Sequence, residues 1–121
     1  MIGTNAAFQR KKGNMMENFD KNFFDKEKCH SKGIPALKRL LAIAQGNSGQ
    51  CRIVANFLLS LYNGDRFKFD LTDFRSLDIS IFIDSIAVLG MDYRPKQEVH
   101  CYFENGGKIW EDLAEKWKLN K

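Results

Sequence analysis

Two pairs of adjacent residues, Cys29-His30 and His100-Cys101, bring two thiols and two imidazoles into one chain of 121 residues. Four such groups are the donor set of a structural zinc ion. The spacing argues against that chemistry, because paired ligands are normally separated by two or more residues and adjacent side chains diverge. We expect no metal and no cofactor. A Cys-His nucleophile would require Cys51 or Cys101 to meet His30 or His100 in space, and no local pattern supports it. Cys51 falls in the first turn of an expected helix, where the dipole lowers a thiol pKa, but inert cysteines are common there too.

Asp70, Asp73 and Asp78 are spaced as a general acid/base pair or a magnesium site could be. The same positions match two consecutive helix caps, which explains them without catalysis. A phosphate-cradling glycine loop, GxSxG, HExxH and a dinucleotide fingerprint are all missing from the sequence. A non-enzymatic role is therefore favoured, and a small hydrolase or transferase at the aspartate cluster ranks third among the readings.

Arg52, Asn56, Ser60 and Asn63 recur at steps of four, four and three, which places them in one stripe along a helix. An arginine with two amides and a hydroxyl suits hydrogen bonding across a protein interface; an ordinary solvated face is the plainer reading. A second candidate contact lies in the N-terminal arm, where Phe19 and Phe23 could anchor a partner or dock on the domain. Arg10, Lys11 and Lys12 could touch phosphate, though three charges give a weak, salt-sensitive attraction. Residues 1–33 carry seven basic side chains against four acidic ones, while the remainder carries twelve against eleven. The body is almost neutral, so nucleic-acid binding would have to come from the arm.

The elements that must hold these residues read as helices. Pro35 suits a first turn, and Leu37, Leu40, Leu41 and Ala44 follow at i, i+3, i+4 and i+7 before Gly46 stops the run. Ser48 offers an N-cap for a helix to about Asn63, closed by Gly64. Asp70 opens a short helix ending near Leu77, and Asp78 is placed to cap the next segment. Residues 79–89 alternate like a strand over five positions, yet their length and the Asp78 cap favour a core helix. Asn105-Gly106-Gly107 breaks the chain before an amphipathic helix with Ile109, Trp110, Leu113, Ala114 and Trp117 on one face. Met16, Phe19 and Phe23 suggest a further short helix over 15–28, followed by a break from Cys29 to Gly33. The fold class is all-α or mostly α, a compact small bundle, with short extended pieces near 66–69 and 99–103. A basic, loosely attached arm (1–32) precedes a single domain (33–121). The expected core is Leu37, Leu40, Leu41, Val54, Phe57, Leu58, Ile83, Ile86, Leu113 and Trp117.

Residues 44–78 also resemble a known family: small uncharacterised proteins carried on bacterial plasmids, integrative elements and prophages. The matching positions are Ala44, Gln45, Gly49, Gln50, Arg52, Val54, Ala55, Asn56, Phe57, Leu58, Leu59 and Asn63, then Phe69, Asp70, Leu71, Thr72, Asp73 and Asp78. The resemblance implies a cytoplasmic accessory role and transfers no reaction. The first fifteen residues have no apolar segment of a secretion signal, and the longest apolar run, interrupted by Ser80, Asp84 and Ser85, falls short of the ~20 residues of a membrane span. With three cysteines at wide spacings, reduced thiols in a bacterial cytoplasm are expected. The function these observations favour is a non-enzymatic protein-interaction module of a mobile genetic element, for example an inhibitor of a host defence complex. A weak nucleic-acid-binding accessory using the arm is the runner-up.

Overall fold

The computed structural model describes residues 25–119. Among them four α-helices form, α1 (Lys26–Ala44), α2 (Gly49–Tyr62), α3 (Ile79–Tyr93) and α4 (Gly106–Trp117), with 3-10 turns at Leu71–Ser76 and Val99–Tyr102. The described residues form an all-helical fold with no strand among them. Residues 66–69 are irregular, and 99–102 make a tight turn instead of an extended piece.

Helix α1 lies between α3 and α2, and α4 closes over α2. It begins at Asp25, whose carboxylate accepts the Lys28 N–H at 3.0 Å. It then runs unbroken through Cys29 to Gly33 and past Pro35, so the break expected there is absent. Pro35 is exposed, as is Ser31, whose carbonyl loses the Pro35 donor. Water can serve that carbonyl, which is why the helix tolerates the proline. Gly33 has a packing role: a Cβ there would fall 2.5 Å from the Met91 Cβ, so its bare backbone lets α1 and α3 close together.

The core is built from Ala36, Leu37, Leu40, Leu41 and Ala44 of α1, Val54, Phe57, Leu58 and Leu59 of α2, Val88 and Met91 of α3, and Trp110, Leu113 and Ala114 of α4. Most of the expected core residues are there. Ile83 and Ile86 are not: both are exposed, and Trp117 is partly buried. Both indoles are hydrogen-bonded, Trp110 Nε1 to the Leu58 carbonyl at 3.0 Å and Trp117 Nε1 to that of Ala44 at 2.9 Å. The second bond serves a carbonyl at the end of α1 that has no partner within the helix. Ser48 caps α2 through Cys51 N–H, as its sequence position predicts. Asp78 occupies the N-cap position of α3, but its side chain makes no capping bond; its own N–H donates to Gln50 Oε1 at 2.6 Å.

At the other end of the body, a Cβ on Gly106 would lie 1.6 Å from the His100 carbonyl oxygen, so no side chain fits there. Asn105 precedes it in the left-handed region at φ 59°, a conformation asparagine adopts more readily than most residues. Together they turn the chain into α4.

Candidate functional site

Helix α3 is apolar nearly all round, and its two sides have opposite fates. The side facing α1 presents Ser85, Val88 and Met91, all buried. Met91 packs directly over the bare backbone of Gly33. Ser85 satisfies its buried hydroxyl by donating to the Ile81 carbonyl at 2.9 Å. Arg39 of α1 then locks the seam with two 2.8 Å hydrogen bonds to Asp84. That geometry turns the isoleucines and Tyr93 outward. Ile79 is 72% exposed, Ile83 58% and Tyr93 72%, with Ile86 and Leu89 more than a third exposed. Ile79, Ile83, Ile86 and Tyr93 follow at steps of four, three and seven, so they form one row. The sequence reading of 79–89 as a core helix is corrected here: the face expected inside lies outside.

Beside this row the rings of Phe57, Phe69, Phe74 and Phe82 pack edge to face or tilted, with centroids 4.9–5.5 Å apart. Phe57, Phe69, Phe74, Leu71 and Leu89 line an open groove of about 290 Å³. Leu71, 73% exposed, stands on its rim and extends the apolar surface. Isolated exposed hydrophobics need no explanation, but a continuous helix face with an adjoining groove is the form of a protein contact site.

The polar stripe has a different character. Arg52 Nη1 donates to the Trp117 carbonyl at 3.1 Å, and Asn56 Nδ2 to that of Lys68 at 3.0 Å. Ser60 Oγ donates to the Phe57 carbonyl at 2.7 Å, while Asn63 Oδ1 accepts from the N–H groups of Asp65 and Arg66. All four thus have work inside the chain: Arg52 ties α2 to α4, Asn56 and Asn63 tie it to the following loop, and Ser60 bonds within the helix. Near them Glu111 accepts from Tyr62 Oη at 2.5 Å and from both Arg66 terminal nitrogens at 2.7 and 3.1 Å. Those donors hold its carboxyl down at about 2, and the same bond raises the Tyr62 hydroxyl.

Of the three aspartates, Asp70 caps its turn by accepting from Thr72 N–H at 2.9 Å and Thr72 Oγ1 at 2.8 Å, bonds that lower its pKa. The ion pairs found among the described residues do not involve Asp70, Asp73 or Asp78. All three sit at the N-terminal end of α3 or just before it.

The two Cys-His pairs go to separate duties. His30 is buried and meets the Tyr102 hydroxyl at 3.2 Å; burial, then nearby Lys96, lowers its pKa. His100 packs its ring edge-on to Tyr62, and its Nδ1 is buried without a partner in the described residues. No group of three or more metal-ligating side chains comes together among the described residues. Cys51 accepts from Ser48 Oγ at 3.1 Å, which lowers its thiol pKa. Asp92 is the unusual acid. Burial, assisted by nearby Glu98, raises its pKa to about 6.

Phe19, Phe23, Arg10, Lys11 and Lys12 lie outside the described residues, as does most of the helix expected over 15–28. The outer face of α3 is the surface that sequence reasoning missed. Its signal was present in the segment's composition: between 79 and 93 there are too many large apolar residues for one buried side to absorb.

These features describe a small helical protein whose polar groups mostly serve its own fold and which leaves one apolar helix face open among the described residues. The chain belongs to a family of unknown function (DUF7673), whose profile matches residues 34–118. That match reaches well beyond residues 44–78, where the resemblance rests. No curated protein and no solved structure matches the chain. No helix among the described residues is long and apolar enough to cross a membrane.

Proposed function

We propose that this protein is a non-enzymatic interaction module that binds another protein through the outer face of α3. The observation that carries the reading is the row Ile79, Ile83, Ile86 and Tyr93, set beside the groove at Leu71 and Leu89. Placing large β-branched residues in water gains nothing for an isolated monomer, and covering them contributes roughly 25 cal/mol per Å². The resemblance over 44–78 supplies the setting: an accessory protein of a bacterial mobile genetic element, acting in the cytoplasm, with inhibition of a host defence complex as one form. Between Ile79 and Tyr93 there is no lysine or arginine, which favours a protein partner over a phosphate backbone.

The test is affinity capture from a native lysate with the full-length chain and its Ile83→Lys variant. Wild type should retain a stoichiometric protein through a high-salt wash, and the variant should lose it while keeping its helical circular dichroism. Capture that is indifferent to Ile83→Lys but abolished by salt would replace this reading with a phosphate-binding one.

A further inference from the structure

The side chains that α3 leaves outside recur at the spacing of a helix seam. Ile79, Phe82, Ile86, Leu89 and Tyr93 follow at steps of three, four, three and four, the repeat by which two helices pack along their length. Ile79, Ile86, Leu89 and Tyr93 are each 37% exposed or more, and Phe82 is partly exposed.

Three features of this seam suit an identical helix. The first is symmetry about Ile86. Ile79 and Tyr93 stand seven positions to either side of it, Ile83 and Leu89 three, and Phe82 and Gly90 four. A two-fold axis at Ile86, perpendicular to α3, brings each residue level with its counterpart in the second copy. The bare backbone of Gly90 then leaves room for the Phe82 ring. The second feature is charge. The acids of α3 are Asp84, which Arg39 holds, and Asp92, which is partly buried, so two copies of the face meet without like charges between them. Asp78 and Arg94 lie eight positions to either side of Ile86, both exposed and both outside the ion pairs of the described residues. An antiparallel arrangement sets each acid at the end where the other copy's cation stands, whereas a parallel one sets like beside like. The third feature is area. With Leu71 and Ile83 included, the exposed side chains offer roughly 700 Å² per copy, inside the ~600–1,000 Å² per partner of stable protein interfaces.

We infer that α3 pairs antiparallel with α3 of a second copy of this chain, across a two-fold axis at Ile86. The inference rests on the reading of this face as a protein contact site, and adds that a foreign partner must displace the second copy. The core lies within one chain, so the dimer parts into folded monomers.

Sedimentation equilibrium of the full-length chain at micromolar concentration should give twice the chain mass. Ile83→Lys carries an ammonium into an apolar contact, and should raise the dimer dissociation constant about tenfold or more while helical circular dichroism is unchanged. A second variant, Ile86→Cys, reads the register. Mild oxidation followed by trypsin should join the peptide Ser76–Lys96, which has no native cysteine, to its own copy. Monomer mass at every concentration overturns the inference and leaves the face to a foreign partner or to the rest of this chain. A dimer indifferent to Ile83→Lys also overturns it, by placing the interface elsewhere. A dimer in which Ile86→Cys forms no such link overturns the two-fold axis at that residue. The two readings fail separately. A monomer that captures a foreign protein through Ile83 removes the second copy and keeps the partner site. A dimer parted by Ile83→Lys, with no foreign protein captured, does the reverse.

Discussion

Both sides of α3 are rich in apolar side chains, yet α1 covers only one of them. Against α1 the helix sets Ser85, Val88 and Met91; toward the outside it sets three isoleucines and a tyrosine. A ranking by hydropathy would bury the second set. What decides instead is how two helix backbones fit together: the bare backbone of Gly33 leaves the space that Met91 fills. Burial here follows fit, and the surplus of apolar surface that fit leaves outside becomes available for binding.

That contrast can be broken from the inner side first. Leu40→Ala removes a fully buried side chain of α1 and should destabilise the protein by about 2–5 kcal/mol, read from the chemical-denaturation midpoint. Gly33→Ala pushes a methyl into Met91, and overpacking of this kind costs about 1–3 kcal/mol. Alanine's better helix propensity offsets at most about 1 kcal/mol, so the variant should still melt lower than wild type. A higher melting temperature would mean that the seam is looser than its geometry.

Asp92 sharpens the comparison through pH. Its pKa rises from 3.8 to about 6 on folding, so the folded state holds this proton more tightly than the unfolded chain. The contribution of Asp92 to stability is therefore most favourable below pH 4 and declines as pH rises through 6. Asp92→Asn should be more stable than wild type by about 1 kcal/mol at pH 7, with the difference vanishing near pH 4. Equal stability of the two proteins across that range would place Asp92 in water. The smallest expected effect belongs to the outer face: Ile83→Lys should alter global stability by less than about 0.5 kcal/mol. A loss of several times that amount would make Ile83 a structural residue and remove the distinction between the two sides.

Much of this architecture was legible in the sequence because local signals agreed with tertiary ones. Ser48, the apolar spacing of Leu37 to Ala44 and the Trp110–Leu113–Ala114 face each specify a helix and its buried side together. The failures came where a residue's local meaning and its packing role diverge. Gly33 reads as a breaker beside Pro35 but is a contact point, and the helix passes through both. Asp78 reads as a cap, yet its backbone is held by Gln50 instead, a partner twenty-eight residues away. In the stripe, Arg52, Asn56 and Ser60 lie on α2, while Asn63 is its extended C-cap residue. The stripe's bonds to Trp117, Lys68, Phe57, Asp65 and Arg66 depend on where α4 and the loop return, which spacing does not encode. The candidate surface was the hardest to read. On a helix apolar nearly all round, periodicity points only weakly to one side, and the choice falls to the neighbouring helix.

The two indoles of α4 give the protein an optical record of its own loosening. Trp110, without solvent contact and bonded to the α2 backbone, should emit toward the blue and escape a dissolved quencher. Trp117 is half-open, with the Lys116 ammonium 5.1 Å above its ring, a charge that gathers iodide where it can quench. Light from one side chain follows the end of the helix, and light from the other follows the core.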